Sequence, residues 1–206
     1  MKPLRIIIFA KAPQAGICKT RLIPALGADG AAMLARRLLD HTLMQAMSAG
    51  IGTVELCMTP DDDELWQNVP LPVGIVRSVQ GDGDLGQRLA RTSQGVIERG
   101  ETVLLIGTDC PALDAACLRH IASALVEVDA VMVPTADGGY AALGLNHFHQ
   151  AVFSNIAWST DSVAFETLCR FGGLGWSVQQ LPMLHDVDEP TDLKWLPCSW
   201  PEASDA

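Results

Sequence analysis

Residues 102–133, TVLLIGTDCPALDAACLRHIASALVEVDAVMV, decide the fold. Thr102 to Ile106 is a short apolar run that stops at the turn residues Gly107 and Pro111, which reads as a buried strand. A helix over Asp114 to Glu127 follows, and Ala130 to Val133 is a second strand of the same kind. Strand, helix and strand within one such stretch is the unit from which open α/β sheets are built.

Outward from this unit the alternation continues. Leu4 to Ala10 reads as a strand, with a loop to Gly27 behind it. Leu34, Leu38, Leu39, Leu43, Ala46 and Met47 recur at helical spacing within Ala28 to Ala49, and Gly50 stands where a helix stop belongs. Next come a strand at Thr53 to Met58, a short helix opened by Asp61, Asp62 and Asp63, a weaker strand at Gly74 to Val79 and a helix from Gly86 to Arg99. The acidic triplet suits the positive end of its helix. After Tyr140 the spacing predicts an apolar segment to Leu145, a helix from Thr160 to Arg170, a strand at Trp176 to Leu181 and a short helix after Pro190. The expected architecture is a three-layer α/β/α sandwich on a mostly parallel sheet with right-handed crossovers. One domain over residues 1–200 and a flexible tail over 201–206 complete the expectation.

The chain has 206 residues, 49% apolar and 18% charged, which supports a sizeable core and excludes disorder and coiled coil. Its formal charge of −10 disfavours non-specific nucleic-acid binding and attachment to anionic membranes. No apolar run reaches the roughly 18 residues of a membrane span. The six cysteines stand at least seven positions apart, without a CxxC pair or zinc knuckle, as reduced thiols in a cytoplasm would. Homo-oligomerisation is left open by the sequence.

The charge is uneven. Lys2, Arg5, Lys11, Lys19 and Arg21 precede the first acidic residue, Asp29. Lys11, Lys19 and Arg21 flank a turn-rich loop containing Pro13 and Gly16, and such a loop after a strand can aim N–H groups and cations at one anion. It is not a Walker A loop, because Pro13 and Cys18 stand where glycines are needed.

In open α/β sheets chemistry collects at the carboxyl ends of strands. Residues 81–86, GDGDLG, match GxGxxG in letters. However, Asp82 and Asp84 would face a pyrophosphate, and the loop follows a third strand, whereas the fingerprint belongs to the first turn. A loop shaping a nucleobase or substrate pocket, with Asp84 and Arg88 beside it, fits better than a nicotinamide site. Asp109, in GTDCP at the tip of the strand at Thr102 to Ile106, is a candidate ligand for Mg²⁺, a hard ion that takes one or two carboxylates and completes its shell with phosphate and water. Asp188 or Asp186, in the late DVDEPTDL stretch, could add a second carboxylate. Asp137, Gly138, Gly139 and Tyr140 form a substrate-side turn in which glycines admit close backbone approach and the lone tyrosine offers a phenol. Trp158 to Asp161 reads as a helix cap whose hydroxyls could meet an acceptor.

Together, FAKAPQAG (9–16), KTRL (19–22), GDLGQR (83–88), GTDCP (107–111), DGGY (137–140) and DVDEPTDL (186–193) resemble the nucleotide-diphospho-sugar transferase superfamily with the GT-A fold. Within it they look like a bacterial family of glycosyltransferases related in fold to molybdenum-cofactor and 2-phospholactate guanylyltransferases. The resemblance covers nearly the whole chain. It implies that Lys19, with Lys11 and Arg21, holds donor phosphates and that Asp109 binds Mg²⁺ or Mn²⁺. The early LAAGG loop of the relatives is replaced here by FAKAP, and the Asp-x-Asp of many sugar transferases by TDC.

The expected activity is a divalent-metal-dependent transferase using a nucleotide or nucleotide-diphospho-sugar donor and a small-molecule acceptor. Lys19 and Asp109 carry the catalysis, Asp109 and Asp188 the metal. Nucleotidyl transfer, with release of pyrophosphate, is the alternative, because metal and cations would stabilise either leaving group. A non-catalytic nucleotide-binding domain would have Asp109 and Asp188 too far apart to share a metal.

Overall fold

The computed structural model describes residues 2–200; the tail expected over 201–206 lies outside them. Its strands are β1 (Leu4–Lys11), β2 (Thr53–Thr59), β3 (Val76–Val79), β4 (Thr102–Ile106), β5 (Ala130–Pro134), β6 (Tyr140–Leu145) and β7 (Val178–Gln180). Its α-helices are α1 (Ile23–Ala49), α2 (Asp63–Trp66), α3 (Leu85–Glu98), α4 (Ala115–Ala124) and α5 (Val163–Leu174). The strands make one sheet in the order β3-β2-β1-β4-β6-β5-β7, in which only β6 runs against its neighbours.

The two-residue period of a strand sorts the core into two layers. Ile6, Ile8 and Ala10 of β1 join Leu39, Leu43, Leu118 and Ile121 of α1 and α4 on one face. Ile7 joins Leu89, Val96, Ala164 and Phe171 of α3 and α5 on the other. A third cluster of Leu22, Ala31, Leu34, Leu38 and Val187 packs beside α1 and ties residue 187 to the loop behind β1.

The strand and helix order follows the sequence expectation, with local differences. Gly27 (φ 70°) interrupts α1, so the regular helix begins where the apolar spacing begins. Helix α4 ends at Ala124, because tight turns through Ser123 to Val128 return the chain to β5. The apolar segment after Tyr140 is an antiparallel strand. Helix α5 starts at Val163 rather than Thr160, since the Thr160 hydroxyl donates to the Ala157 carbonyl (2.6 Å) and Ser159 is left-handed (φ 65°). Thr160 therefore shapes a turn instead of capping a helix. The helix continues past Gly172 and Gly173 because Phe171 is fully buried, and it ends at left-handed Gly175.

From β1 the chain winds outward through β2 and β3, then returns to place β4 on the other side of β1. The loops behind β1 and β4 consequently flank the switch point of the sheet, where open α/β folds form their crevice.

Candidate active site

Behind β1, residues 12–19 fold on themselves. The Ile17 N–H donates to the Gln14 carbonyl (3.1 Å), while the Gln14 amide donates to the Leu65 carbonyl (2.9 Å). Lys19 is left-handed (φ 47°), which turns the chain into a 3-10 turn at Thr20–Leu22 anchored by fully buried Leu22.

From the far side of the sheet, residue 184 runs beside the end of β5, bridging to Thr135, and the chain then crosses toward the tip of β4. Val187 is the pivot. Its side chain is fully buried in the cluster that holds Leu22, its N–H donates to the Asp109 carbonyl (2.8 Å), and its carbonyl accepts from Lys19 Nζ (2.6 Å). Its neighbours Asp186 and Asp188 line a cavity of about 310 Å³ at the carboxyl ends of the strands.

Lys19 Nζ forms an ion pair with Asp109 Oδ1 and lies 3.7 Å from Asp188 Oδ1; Arg21 reaches Asp188 Oδ2 at 2.8 Å. The Lys19 side chain is 6% exposed, whereas that of Asp109 is 51% exposed. Asp109 and Asp188 are thus close enough to share one cation, and the separation required by a non-catalytic domain is not found. Among the described residues no three His, Cys, Asp or Glu side chains group to hold a metal ion. Two hard carboxylates with open solvent on one side nevertheless fit Mg²⁺ or Mn²⁺, which leave most of their shell to water and phosphate. The lysine ammonium stands here as the cation between them.

Asp137 faces the same cavity. Thr135 Oγ1 donates to its Oδ1 at 2.6 Å and the Gly139 N–H at 2.9 Å. Gly138 (φ 89°) packs so closely on residue 161 that a Cβ there would stand 2.1 Å from the Asp161 carbonyl oxygen. Tyr140 contributes its ring to the wall, while its buried hydroxyl has no hydrogen-bond partner among the described residues; burial raises its pKa. Burial and the neighbouring Asp137 likewise raise the carboxyl of Asp186. Cys110 is pushed up to about 12, chiefly by burial, and its thiol donates to the His185 carbonyl (3.1 Å), so it is a packing residue.

The loop at 81–86 is built differently from a dinucleotide turn. Asp84 accepts from the Gln87 N–H (2.8 Å) in a capping box at the start of α3. Arg88 holds the Gly83 carbonyl (2.8 Å), and Arg91 holds those of Gln80 (2.6 Å) and Asp82 (2.7 Å). Gly86 leaves room for another loop, because a Cβ there would lie 2.5 Å from Trp158 Nε1 and 2.6 Å from the Phe153 carbonyl oxygen. Trp158, Ser159 and Thr160 thereby come to the cavity wall.

The structure brings Lys19, Arg21, Asp109 and Asp188 into one charged cluster, and Asp137, Gly139 and Tyr140 into the adjoining cavity. Lys11, at the end of β1, and Gly16, in its loop, are exposed and lie outside that cavity, as do Asp84 and Arg88. Several contributors escaped the sequence reading. Thr135 orients Asp137, and Leu85, Leu89 and Phe9 supply apolar wall. Buried Gln80 joins the carbonyls of Ala10 (3.3 Å) and Cys57 (3.0 Å) at the ends of β1 and β2. Asp84, expected beside a pocket, instead caps α3, and the Asp-x-x-Gln pattern was the readable sign of that role.

Comparison with known proteins agrees with this fold. A protein from Desulfovibrio desulfuricans G20, described as a candidate nucleotide-diphospho-sugar transferase, superposes with a TM-score of 0.88 at 29% identity, over 99% of this chain and 90% of that one. Rv0371c of Mycobacterium tuberculosis H37Rv, in its manganese complex, shares the fold at a TM-score of 0.56 and 20% identity, over 97% of this chain and 100% of that one. The 4-diphosphocytidyl-2C-methyl-D-erythritol synthase of Anaerococcus prevotii DSM 20548 shares it at 0.60 and 15%, over 94% of each chain. No protein of curated function matches the sequence. The fold is therefore that of the nucleotide-using transferases, and no helix among the described residues is long and apolar enough to cross a membrane. By the match over residues 42–160, the chain belongs to the family of uncharacterized proteins conserved in bacteria (DUF2064).

Proposed function

We propose that the protein is a divalent-metal-dependent transferase that takes a nucleotide-diphospho-sugar donor and passes its glycosyl group to a small-molecule hydroxyl. One observation carries this reading: Lys19, from the loop behind β1, meets both Asp109 behind β4 and Asp188 of the late crossing segment. A cation source and two hard carboxylates thus converge at the crevice where this fold class places ligands.

Asp109 and Asp188 are the residues that would hold Mg²⁺ or Mn²⁺, which as a Lewis acid stabilises charge on a departing diphosphate. Lys19 and Arg21 lie on the same side and would neutralise the same leaving group. The acceptor oxygen forms a bond to the anomeric carbon as the bond from that carbon to the diphosphate oxygen breaks. The electron pair leaves with the nucleoside diphosphate, and the hydroxyl proton passes to water. Support from known proteins comes from the Desulfovibrio neighbour's description and from the manganese complex of Rv0371c.

The test is product analysis with nucleotide sugars and nucleoside triphosphates, with and without Mn²⁺. Release of nucleoside diphosphate that needs the metal and is lost in Asp109→Asn is the expected result. Release of pyrophosphate from a triphosphate instead would assign nucleotidyl transfer, and release indifferent to both metal and Asp109 would overturn the site.

A further inference from the structure

The walls of the cavity speak to the acceptor, on the premise of the transferase reading above. Of the described residues that line it, four are carboxylates and none is basic. Asp109 and Asp188 are offset by Lys19 and Arg21, the cations placed to meet donor phosphates. Asp137 has no such partner among the described residues: the hydrogen bonds it accepts from them, from Thr135 and Gly139, both fall on Oδ1, which leaves Oδ2 to accept from a ligand. Asp186 adds a second carboxylate that forms no ion pair among the described residues.

Phe9, Leu89, Leu105 and Val163 give the wall apolar area together with the rings of Tyr140 and Trp158, and Thr135, Ser159 and Thr160 line it as well. Trp158 owes its position to Gly86, where any side chain would collide with it. The volume, about 310 Å³, lies at the small end of ligand sites and suits a molecule of monosaccharide size.

We propose that the acceptor is an unphosphorylated polyol or sugar. Ionised carboxylates only accept hydrogen bonds, and a polyol offers a dense set of hydroxyl donors. Aliphatic C–H faces of such a molecule pack on the apolar and aromatic wall while its hydroxyls reach Asp137. A phosphate ester held at Asp137 and Asp186 would bring between one and two further negative charges beside two carboxylates that, among the described residues, have no ion-pair partner. Like charges at contact distance in a partly desolvated site repel strongly, so the cavity selects against it.

Ligand-observed NMR with matched pairs tests this: glycerol and glycerol 3-phosphate, erythritol and erythritol 4-phosphate, glucose and glucose 6-phosphate, each on metal-free protein, with Mg²⁺ added afterwards for the nucleotide-sugar measurement. Members without phosphate are expected to bind at least tenfold more tightly than their esters. Asp137→Asn keeps an oxygen for Thr135 and Gly139 and is expected to weaken the neutral ligands severalfold. Asp137→Lys is expected to narrow or reverse the discrimination. Tighter binding of the esters, equal affinities within each pair, or no binding of either class overturns the proposal. Nucleotide-sugar binding is followed in the same samples, so that a missing donor signal beside intact polyol binding would sink the transferase reading alone.

Discussion

The ammonium of Lys19 and the carboxylate of Asp109 meet in an ion pair, although one belongs to the loop behind β1 and the other to the tip of β4. Lys19 is almost wholly buried and Asp109 half exposed, and Lys19 also holds the Val187 carbonyl and lies near Asp188. Removing the Asp109 charge therefore leaves Lys19 with other partners. Asp109→Asn is expected to lower turnover about a hundredfold, on the order of 3 kcal/mol of transition-state stabilisation, with Tm close to that of the parent. Steady-state kinetics beside thermal unfolding checks both halves, and a large Tm loss would instead make Asp109 a structural residue.

Gly86 and Trp158 are matched in shape. Gly86→Ala would put a Cβ within 2.6 Å of both the indole nitrogen and the Phe153 carbonyl oxygen. Overpacking of this kind costs about 1–3 kcal/mol, and here the loop at 153–160 must move to relieve it. The expected outcome is a changed tryptophan emission together with weakened ligand binding at the cavity. Unchanged emission and affinity would show that Trp158 is not held by this contact.

Cys110 faces the cavity, yet its pKa is pushed up to about 12, mainly by burial and further by Asp186, and its thiol is bonded to the His185 carbonyl. Thiolates, not thiols, attack alkylating reagents. Brief iodoacetamide treatment of the native protein at neutral pH is expected to label exposed Cys169 and Cys198 and to spare Cys110. Peptide mass spectrometry distinguishes these, and early labelling of Cys110 would contradict the burial.

Arg5 joins Glu101 at 2.8 Å and Glu55 at 3.0 Å, with all three side chains at most 16% exposed. Hydrogen bonds from Arg5 hold the Glu101 carboxyl below its ordinary value of 4.5. A depressed carboxylate contributes stability above its unfolded pKa and loses it as pH falls through the lower folded one. Stability is therefore expected to decline below pH 4.5. Arg5→Met would strand Glu55 and leave Glu101 only Arg99 at 3.5 Å, costing about 3 kcal/mol at neutral pH and flattening the acid limb of the profile. Urea titrations across pH check this, and parallel profiles for parent and variant would refute it.

Much of the fold was legible because strands such as Leu4–Lys11 and helices such as Leu85–Glu98 carry their hydrophobic period in the letters. The direction of β6 was not, since an apolar run looks the same read either way. In the site, Lys19, Asp109 and Asp188 stood out as charged residues behind strands and turns, and the structure gathers them. What no local pattern could reveal is the burial of Val187, which fixes where its two aspartate neighbours face, or the fit of Gly86 to Trp158 across the chain. Both arise from contacts between segments far apart in sequence.

The most direct test is a thermal-shift comparison of the parent and Asp109→Ala with nucleotide sugars and nucleoside triphosphates, each with and without Mn²⁺. A ligand at about a hundred times its Kd adds about 2.7 kcal/mol of stability, a readily measured rise in Tm. The expected result is stabilisation by a nucleotide sugar that requires Mn²⁺ and disappears in Asp109→Ala. No stabilisation by any nucleotide, or an identical shift in the variant, would contradict the assignment of this site to a metal-bound donor.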